Sequence, residues 1–276
     1  MVTRRQFLAR MAAGSAGGAL LASCGRMDIG GPGGKRRPNI LIIYVDDLAR
    51  GDVGAFGCPD ASTANIDSLA RDGVKLTNAY TINAPCSPSR TGLMMGMYTQ
   101  RFGKFDLSRG VPIPEDKPTL AETLRDAGYI TGIVGLEKWD IGSWRQGCLS
   151  RGFMEAGMHP PRVEGREGFG GGASYISIKG SYLTETEGGY VIDFIDRHGK
   201  KDKPFFMYFV PLAVHIPNTE VPVKYLKRLY PEHVGEKWSK RQYLRATLLA
   251  LDDQIGLILK KLRDMGIDRD TLIMFG

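Results

Sequence analysis

Cysteine is scarce in this chain, since the 276 residues include only four. A small exported protein stapled by a disulfide framework would need more of them, so that class is excluded. Two of the four, Cys58 and Cys148, lie in no motif. A disulfide between them is compatible with an oxidising compartment, and two unpaired thiols fit the sequence at least as well. The chain also lacks internal repeats and, outside a glycine-rich stretch near its start, low-complexity tracts.

An excess of basic charge is present in the total but absent from most of the chain. The formal net charge is +7, from 37 basic and 30 acidic residues. Residues 1–37 hold seven of the basic residues and one of the acidic residues, which leaves 30 basic against 29 acidic residues in 38–276. A nucleic-acid-binding domain would carry its basic residues on the folded part, so we expect no nucleic-acid partner.

The first 24 residues contain the three parts of a bacterial export signal in the correct order. Residues 3–8 (TRRQFL) resemble the twin-arginine motif, an apolar stretch too short to span a bilayer follows over 11–23, and residues 21–24 (LASC) resemble a lipobox. We expect export by the twin-arginine route and a lipid anchor on Cys24, which gives a periplasmic or cell-surface lipoprotein. Residues 25–37 would then be a flexible tether. The alternative is that Cys24 is an ordinary buried cysteine.

From residue 38 onward, apolar runs of strand length alternate with helix-like segments. Fully apolar runs such as 205–210 (FFMYFV) are typical of parallel strands buried on both faces. The glycine-rich segment 142–180 is weakly patterned and predicts loops. We therefore predict an α/β fold over 38–276, with a largely parallel central sheet flanked by helices. The predicted strands are 39–45, 74–80, 129–134, 205–210 and 271–275, and the predicted helices are 65–71, 119–128, 184–198 and 243–262.

Residues 86–90 read Cys-Ser-Pro-Ser-Arg, a C-x-P-S-R pattern. Its four fixed positions should occur by chance in roughly one chain of this size in a thousand. As local structure the pattern predicts the start of a short helix, with Ser87 as the N-cap and Pro88 at the first helical position. A helix N-terminus offers free N–H groups and favours an anion. A nucleophile at Cys86 would therefore lie where an anionic group can be held.

Several residues suited to catalysis follow the predicted strands. Asp46 and Asp47 end the first strand, Lys138 comes soon after the third, and His215 follows the fourth. The carboxyl ends of parallel strands meet at one edge of a sheet, where α/β proteins bind their ligands. Two adjacent carboxylates repel each other unless a cation lies between them, and their hard oxygens suit calcium. The alternative for Asp46 and Asp47 is a solvated acidic turn.

These motifs occur in the order found in the sulfatase family, which the chain resembles from about residue 37 to its end. That family has a fold related to alkaline phosphatase and hydrolyses sulfuric esters. The resemblance therefore implies an arylsulfatase-like hydrolase acting on a sulfated small molecule or glycan. The matching segments are 39–47, 52–54 (DVG), 63–67 (TANID, with alanine where the family usually has proline), 86–90, 138–142 (KWDIG), 213–217 (AVHIP) and the long helix with Asp252.

In the sulfatase family a formylglycine-generating enzyme oxidises the cysteine of C-x-P-S-R to formylglycine. The resemblance implies that Cys86 is converted in this way, that one hydroxyl of the hydrated aldehyde attacks sulfur, and that the other then helps to expel sulfate. It also implies one Ca2+ per site, held by Asp46, Asp47 and the Cys86 product.

The resemblance gives the remaining roles to three basic residues. Arg90 would hold the hydrated nucleophile and stabilise its anionic form. Lys138 would bridge the substrate sulfate and the nucleophile. His215 would bind a sulfate oxygen or protonate the departing oxygen, which suits a group that titrates near neutrality.

The sequence departs from the family pattern in three places. Asp140 stands where the commonest pattern has histidine, and Met95 and Met97 interrupt a stretch that assists recognition by the modifying enzyme. In the family, the final strand is followed by further metal ligands, another lysine and a smaller C-terminal domain. We therefore expect this chain to be an incomplete fragment with little or no activity by itself.

Two other functions fit parts of the sequence. A phosphatase or phosphodiesterase of the same fold would usually have serine or threonine at position 86 and lack the C-x-P-S-R context. A non-catalytic surface lipoprotein that binds sulfated glycans would need no complete metal site.

Overall fold

A computed structural model describes residues 37–106, 111, 113–135, 144–157, 181–215, 221–234 and 237–276 of the chain. Residues Pro38–Gly276 form one compact unit. The predicted export signal of residues 1–24, with its lipobox cysteine Cys24, and Lys138 and Asp140 lie outside the described residues. Among the described helices, none is both long and apolar enough to cross a bilayer.

The described strands form one five-stranded sheet in which every pairing is parallel, in the order β3-β2-β4-β1-β5. The register aligns Leu41 of the first strand with Met207 of the fourth and Ile273 of the fifth. The predicted α/β class with a largely parallel sheet is therefore confirmed. The strands are β1 (Asn39–Ile43), β2 (Ile130–Gly135), β3 (Glu155–Gly157), β4 (Phe205–Val210) and β5 (Thr271–Phe275).

Helices precede and follow these strands along the chain, as the predicted alternation requires. The two longest, α5 and α7, pack against each other, and α1 also packs on α7. Three short 3-10 helices span Arg50–Asp52, Gly54–Phe56 and Thr99–Phe102. The α-helices are α1 (Ala64–Asp72), α2 (Cys86–Met95), α3 (Leu120–Asp126), α4 (Trp144–Ser150), α5 (Leu183–His198), α6 (Val223–Leu229) and α7 (Lys240–Asp264).

The core lies on both faces of the sheet, because alternate residues of each strand point to opposite sides. In β4, Phe205, Met207 and Phe209 belong to the cluster that contains residues of α5 and α7, whereas Phe206 and Tyr208 belong to the cluster that contains residues of α2 and α3. All six residues of β4 are buried. Its continuous apolar sequence therefore reflects burial on both faces, as predicted.

Helices α3 and α7 begin with reciprocal caps that the sequence contains. The hydroxyl of Thr119 accepts from the Glu122 N–H at 3.0 Å, and the Glu122 carboxylate accepts from the Thr119 N–H at 2.7 Å. Ser239 and Gln242 form the same capping box at the start of α7. Each box satisfies two N–H groups that the helix leaves without partners. The prediction of a capped helix at Thr119 is confirmed.

Asp252, on the long helix α7, caps the neighbouring helix α1 from a buried position. Its carboxylate accepts from the backbone N–H groups of Asn65 and Ile66 at 2.9–3.1 Å and from the Asn65 side-chain amide at 2.9 Å. Only 2% of Asp252 is exposed, and this burial raises the pKa of its carboxyl above the usual range although the N–H donors lower it. Asp252 and Asn65 thus fix the packing of α1 on α7.

Two local predictions are wrong. Residues 74–80, predicted as a strand, form turns and loops, with Val74 83% and Tyr80 86% exposed. Within the part of the chain that the structure describes, this segment pairs with no strand, and β-propensity without burial and pairing does not make a strand. Part of segment 142–180, predicted as loops, forms α4 and β3, where the buried side chains of Cys148 and Phe153 join the core. Residues 158–180 lie outside the described part.

Candidate active site

The first strand carries two adjacent carboxylates to the edge of the sheet where the parallel strands end. After β1 the chain stays tied to its neighbours, since the Tyr44 N–H donates to the Phe209 carbonyl and the Val45 N–H to the Gly276 carbonyl. Asp46 follows and is buried, with 8% exposed. Asp47 is exposed and has a positive φ of 58°. A non-glycine residue in this left-handed region is uncommon and is enriched at functional sites.

Cys86 is the first residue of helix α2, and Pro85 is its N-cap residue. The sequence had predicted Ser87 as the N-cap and Pro88 as the first helical residue, and this is wrong by two positions. A proline fits anywhere in the first turn of a helix, because the N–H groups there have no intrahelical partner. The structure therefore places Cys86 itself at the positive end of the helix.

Helix α2 is held rigidly behind the two aspartates. Most of its residues are buried, Ser87 to Gly92 among them. The Tyr44 hydroxyl, just after β1, hydrogen bonds the Ser89 hydroxyl at 2.9 Å, and the Thr91 hydroxyl donates to the Ser87 carbonyl at 2.8 Å. The Tyr44–Ser89 bond links α2 to the end of β1, and the Thr91–Ser87 bond stabilises the first turns of α2 itself, so both help to fix Cys86 relative to Asp46.

Arg90 lies one turn along α2 from Cys86 and pairs with Asp46. Its Nη1 donates to Asp46 Oδ2 at 2.7 Å, and the two side chains are only 2% and 7% exposed. A buried ion pair is stabilised by this close geometry, whereas removal of one partner would leave an uncompensated charge. In this structure Arg90 therefore holds the carboxylate that the sequence predicts as a metal ligand.

The thiol of Cys86 lies in an environment that keeps it protonated. Burial raises its pKa above the ordinary value, and the negative charges of Asp46 and Asp47 add to the increase, against the lowering effect of Arg90 and of the Ser87 backbone N–H. A cysteine that acts directly as a nucleophile needs the opposite shift, because the thiolate is the reactive form. The unmodified thiol is thus poorly suited to attack a substrate.

His215 reaches the same edge of the sheet from the turn after β4. Its Nε2 lies 3.8 Å from Asp47 Oδ2, and its side chain is 25% exposed. The turn contains Val214, which is buried and has a positive φ of 68°. Asp47 is therefore the common neighbour of His215 and of Cys86, whose pKa it influences.

Among the described residues, Asp46, Asp47, Cys86, Arg90 and His215 lie close together. Asp46, Asp47 and His215 follow the ends of β1 and β4, whereas Cys86 and Arg90 lie on α2. The described part of the chain contains no group of three or more His, Cys, Asp or Glu that could hold a metal ion. Two adjacent carboxylates do fit the oxygen ligands of a calcium ion, and they supply only part of the 6–8 oxygens that calcium takes.

Sequence reasoning missed the residues that support this arrangement. Tyr44 is read as one more apolar strand residue, and Glu187 as an ordinary helix residue. Glu187 is 1% exposed, and its Oε2 accepts from the Leu212 N–H at 3.2 Å in the turn before His215. No spacing rule links residues so far apart in sequence, although an acid on the apolar face of a predicted helix is a signal worth following.

Within the described part, Cys58, Cys86 and Cys148 are thiols rather than members of disulfides.

Comparison with known proteins gives a consistent result. The family model described as Sulfatase matches residues 38–276. Human arylsulfatase A is 27% identical over 277 residues, which cover 87% of this chain and 51% of that protein. N-acetylgalactosamine-6-sulfatase of Sus scrofa is 30% identical over 280 residues, covering 90% of this chain and 51% of the relative. The chain thus spans about half the length of these curated relatives.

Solved structures agree with this likeness in fold. The crystal structure of Ps i-CgsB is 28% identical, with a TM-score of 0.72, and the match covers 87% of this chain and 58% of the other. The phosphonate monoester hydrolase of Agrobacterium radiobacter, at 21% identity and a TM-score of 0.63, shows the shared fold alone. With the family model matching 38–276 and the cysteine, arginine and paired aspartates assembled at one edge of a parallel sheet, this chain belongs to the sulfatase family.

Proposed function

We propose that this chain carries the nucleophile of a sulfatase that hydrolyses sulfate esters through formylglycine derived from Cys86. The observation that carries the proposal is the position of Cys86, at the N-terminus of a buried helix beside Asp46, Asp47 and Arg90. Its raised pKa argues against a thiolate nucleophile. Oxidation to an aldehyde would remove that difficulty, because the attacking group is then a hydroxyl of the hydrated aldehyde.

The proposed reaction has two steps, a displacement at sulfur and an elimination, with a covalent sulfate ester between them. Hydrated formylglycine would supply the two hydroxyls that these steps need. In the first step one hydroxyl would form a bond to sulfur and release its proton to solvent, the ester S–O bond would break, and the departing alcohol oxygen would take a proton. His215 is the described residue suited to supply that proton, and Lys138 is proposed to share in binding the sulfate. In the second step the other hydroxyl would lose its proton, the aldehyde C=O would re-form with release of sulfate, and a water molecule would hydrate the aldehyde again.

Asp46 and Asp47 are proposed to hold one Ca2+, which would neutralise the charge of the sulfate group. Arg90 keeps Asp46 in place and is proposed to stabilise the nucleophile in its anionic form. Because the described residues bring only these two carboxylates to the cation, we also propose that the 276-residue chain binds calcium weakly and hydrolyses sulfate esters slowly by itself. Calorimetry should give a Kd of about 1 mM or weaker, as for low-affinity sites. Micromolar binding would contradict this part of the proposal.

The proposed substrate is a sulfated glycan. Two kinds of observation support this choice: relatives at 30% identity are named N-acetylgalactosamine-6-sulfatases, and a neighbour with a TM-score of 0.72 was solved in complex with k-i-k-neocarrahexaose. The sulfated sugar that this protein accepts would be identified by testing 6-sulfated N-acetylgalactosamine against sulfated galactose oligosaccharides.

The test of the proposed function starts from the modification. After co-production with a formylglycine-generating enzyme, peptide mass spectrometry should show the aldehyde at position 86, and only unmodified cysteine would contradict the proposal. Hydrolysis of 4-nitrophenyl sulfate with added calcium should fall to background in Cys86→Ala. The matched control is Cys58→Ala, which removes a partly buried thiol outside the site and should leave the rate unchanged.

We also propose that the protein is exported by the twin-arginine route and anchored in a membrane through a lipid on Cys24. The order of twin arginines, apolar stretch and lipobox in residues 1–24 supports this. Cys24→Ala should release the protein from the membrane fraction and remove the lipid seen by mass spectrometry. Membrane retention of Cys24→Ala, together with a wild type that carries no lipid, would contradict the proposed anchor.

A further inference from the structure

The turn that carries His215 is strained. It follows β4, and the His215 N–H donates back to the Leu212 carbonyl at 3.1 Å, which closes the turn. Between them, Val214 has a φ of 68° and is only 2% exposed. A β-branched residue in this left-handed region is strained, and such a conformation persists only when the surrounding structure holds it.

Glu187 holds the first residue of this turn. It lies on α5 with 1% of its surface exposed, and its carboxylate accepts from the Leu212 N–H at 3.2 Å. A buried backbone N–H that lost this acceptor would be left without a hydrogen bond, which is costly in the interior of a protein. Glu187 therefore stabilises the backbone at the point where the chain leaves β4 and enters the strained turn.

The position of Glu187 is itself fixed by the packing of α5 on α7. The next residue, Gly188, faces Gln254 so closely that a Cβ at Gly188 would lie 2.4 Å from the Gln254 side-chain oxygen. Helices α5 and α7 pack directly against each other. The carboxylate is thus delivered from a rigid helix, which suits a residue that must hold another group in place.

We propose that Glu187 is a positioning residue, which holds the Leu212–His215 turn so that the His215 imidazole faces Asp47. His215 Nε2 lies 3.8 Å from Asp47 Oδ2 in this arrangement. The catalytic meaning of that placement rests on the proposed function, in which His215 supplies a proton to the departing oxygen. A displacement of about 1 Å in a catalytic group can reduce the rate by about 100-fold, so the anchor matters even though Glu187 touches no substrate.

The test compares two replacements of Glu187. Glu187→Met keeps the length of the side chain without an acceptor, so the Leu212 N–H loses its partner. Glu187→Gln keeps an oxygen that accepts from the Leu212 N–H. The matched control is Glu185→Gln on the same helix, because the partners of Glu185 are Tyr225 and Lys224 and not the turn.

Two measurements report on the turn directly. Amide hydrogen exchange at Leu212 should become about tenfold faster in Glu187→Met, which corresponds to about 1.4 kcal/mol of lost protection. Modification of His215 by diethyl pyrocarbonate, followed by peptide mass spectrometry, should become several-fold faster, with His233 as the internal reference. Both values should stay close to those of the wild type in Glu187→Gln and Glu185→Gln, and rescue by glutamine separates positioning from a general loss of packing.

Val214→Gly examines the same anchor without altering Glu187. Glycine adopts a positive φ without strain, so a turn that Glu187 holds against strain should open less often, and the Leu212 amide should exchange more slowly. The proposal would be overturned if Glu187→Met showed the wild-type rates of Leu212 amide exchange and of His215 modification. If Glu187→Met does not fold, an unchanged rate of Leu212 amide exchange in Val214→Gly would overturn it instead. None of these measurements needs conversion of Cys86 or turnover, so a failure of the proposed sulfatase activity would be seen separately.

Discussion

Two regions of this molecule contain residues from the same family motifs, and they are built in opposite ways. At the carboxyl edge of the sheet, where the parallel strands end, Asp46 and Asp47 place two negative charges side by side, and Asp47 has a positive φ. At the contact between α1 and α7, the single carboxylate of Asp252 accepts from three N–H donors of Asn65 and Ile66. The first region has an exposed carboxylate on a strained backbone at Asp47, whereas the second satisfies its buried groups.

A residue can therefore belong to a family motif without having a catalytic role. The segment 63–67 belongs to the family pattern, as residues 86–90 do, yet its polar groups bond to the protein itself. The Thr63 hydroxyl accepts from the Gly54 N–H at 2.9 Å, and the Asp67 carboxylate accepts from the Ala55 N–H at 2.7 Å. These bonds fix the 3-10 helix Gly54–Phe56 onto the start of α1, so the motif stabilises the scaffold.

The largest loss of stability should come from breaking the Arg90–Asp46 ion pair at the carboxyl edge of the sheet. Arg90→Ala leaves the buried carboxylate of Asp46 without its cation, which should lower the free energy of unfolding by about 3–5 kcal/mol. The matched control is Arg71→Ala, which removes an ion pair with Asp72 whose side chains are both 67% exposed; its effect should stay below about 0.5 kcal/mol. Chemical denaturation would measure both values. Similar losses in the two variants would show that Asp46 does not depend on Arg90.

A smaller loss is expected where the scaffold region is altered. Asp252→Ala removes the acceptor of the Asn65 and Ile66 N–H groups, so the start of α1 loses its cap and the free energy of unfolding should fall by about 2–3 kcal/mol. Asp253→Ala, one residue along α7, removes a more exposed pair with Arg228 and should cost less than about 1 kcal/mol. Asp252→Ala should not alter the modification state of Cys86. Equal stability of the two alanine variants would show that the buried cap of Asp252 stabilises the fold no more than the surface pair of Asp253.

At Asp47 we expect two variants to differ in stability because of the positive φ of the backbone. Asp47→Gly and Asp47→Ala both remove the carboxylate, but only glycine adopts a φ of 58° without strain. The glycine variant should therefore be more stable than the alanine variant by about 1 kcal/mol. Both should lose calcium-dependent hydrolysis. If the Asp47→Ala variant were as stable as the Asp47→Gly variant, the positive φ at residue 47 would not be strained.

The smallest change is a shift in the reactivity of the unconverted thiol. The pKa of Cys86 is raised chiefly by burial and then by Asp46, so alkylation by iodoacetamide should still be accelerating above pH 9, where an ordinary thiol of pKa about 8.5 is already mostly ionised. Asp46→Asn removes one negative charge and should move the profile to lower pH. Asp72→Asn, at an exposed site, should leave it unchanged, and a profile insensitive to Asp46→Asn would contradict the assigned cause.

The same shift has a consequence for stability. Because the folded protein binds the Cys86 proton more tightly than the unfolded chain does, this contribution is fully present below the ordinary pKa of a thiol. It is lost as the pH rises through the raised pKa of the folded state. As the pH rises above the ordinary pKa of a thiol, the stability of the unconverted protein should therefore fall more steeply than that of Cys86→Ala, which chemical denaturation would measure.

Local structure was predictable where one physical cause dominated. The apolar sequence of 205–210 coincides with strand β4 because its residues are buried on both faces of the sheet. The start of α3 follows from the reciprocal bonds of Thr119 and Glu122. The prediction for 74–80 failed because a strand also needs a partner, and the sheet order β3-β2-β4-β1-β5 gives that segment none. The start of α2 was misplaced because proline is compatible with several positions of a first turn.

The family, the α/β class and the placement of Asp46, Asp47 and His215 beyond the ends of strands could be predicted from the sequence, because parallel strands bring their carboxyl ends together. The sequence could not determine which residues bond to one another. The pairing of Arg90 with Asp46, the capping of α1 by Asp252 and the support of the His215 turn by Glu187 join residues 25 to 187 positions apart. Such contacts depend on the packing of helices against the sheet, and that packing is decided only when the whole tertiary structure forms.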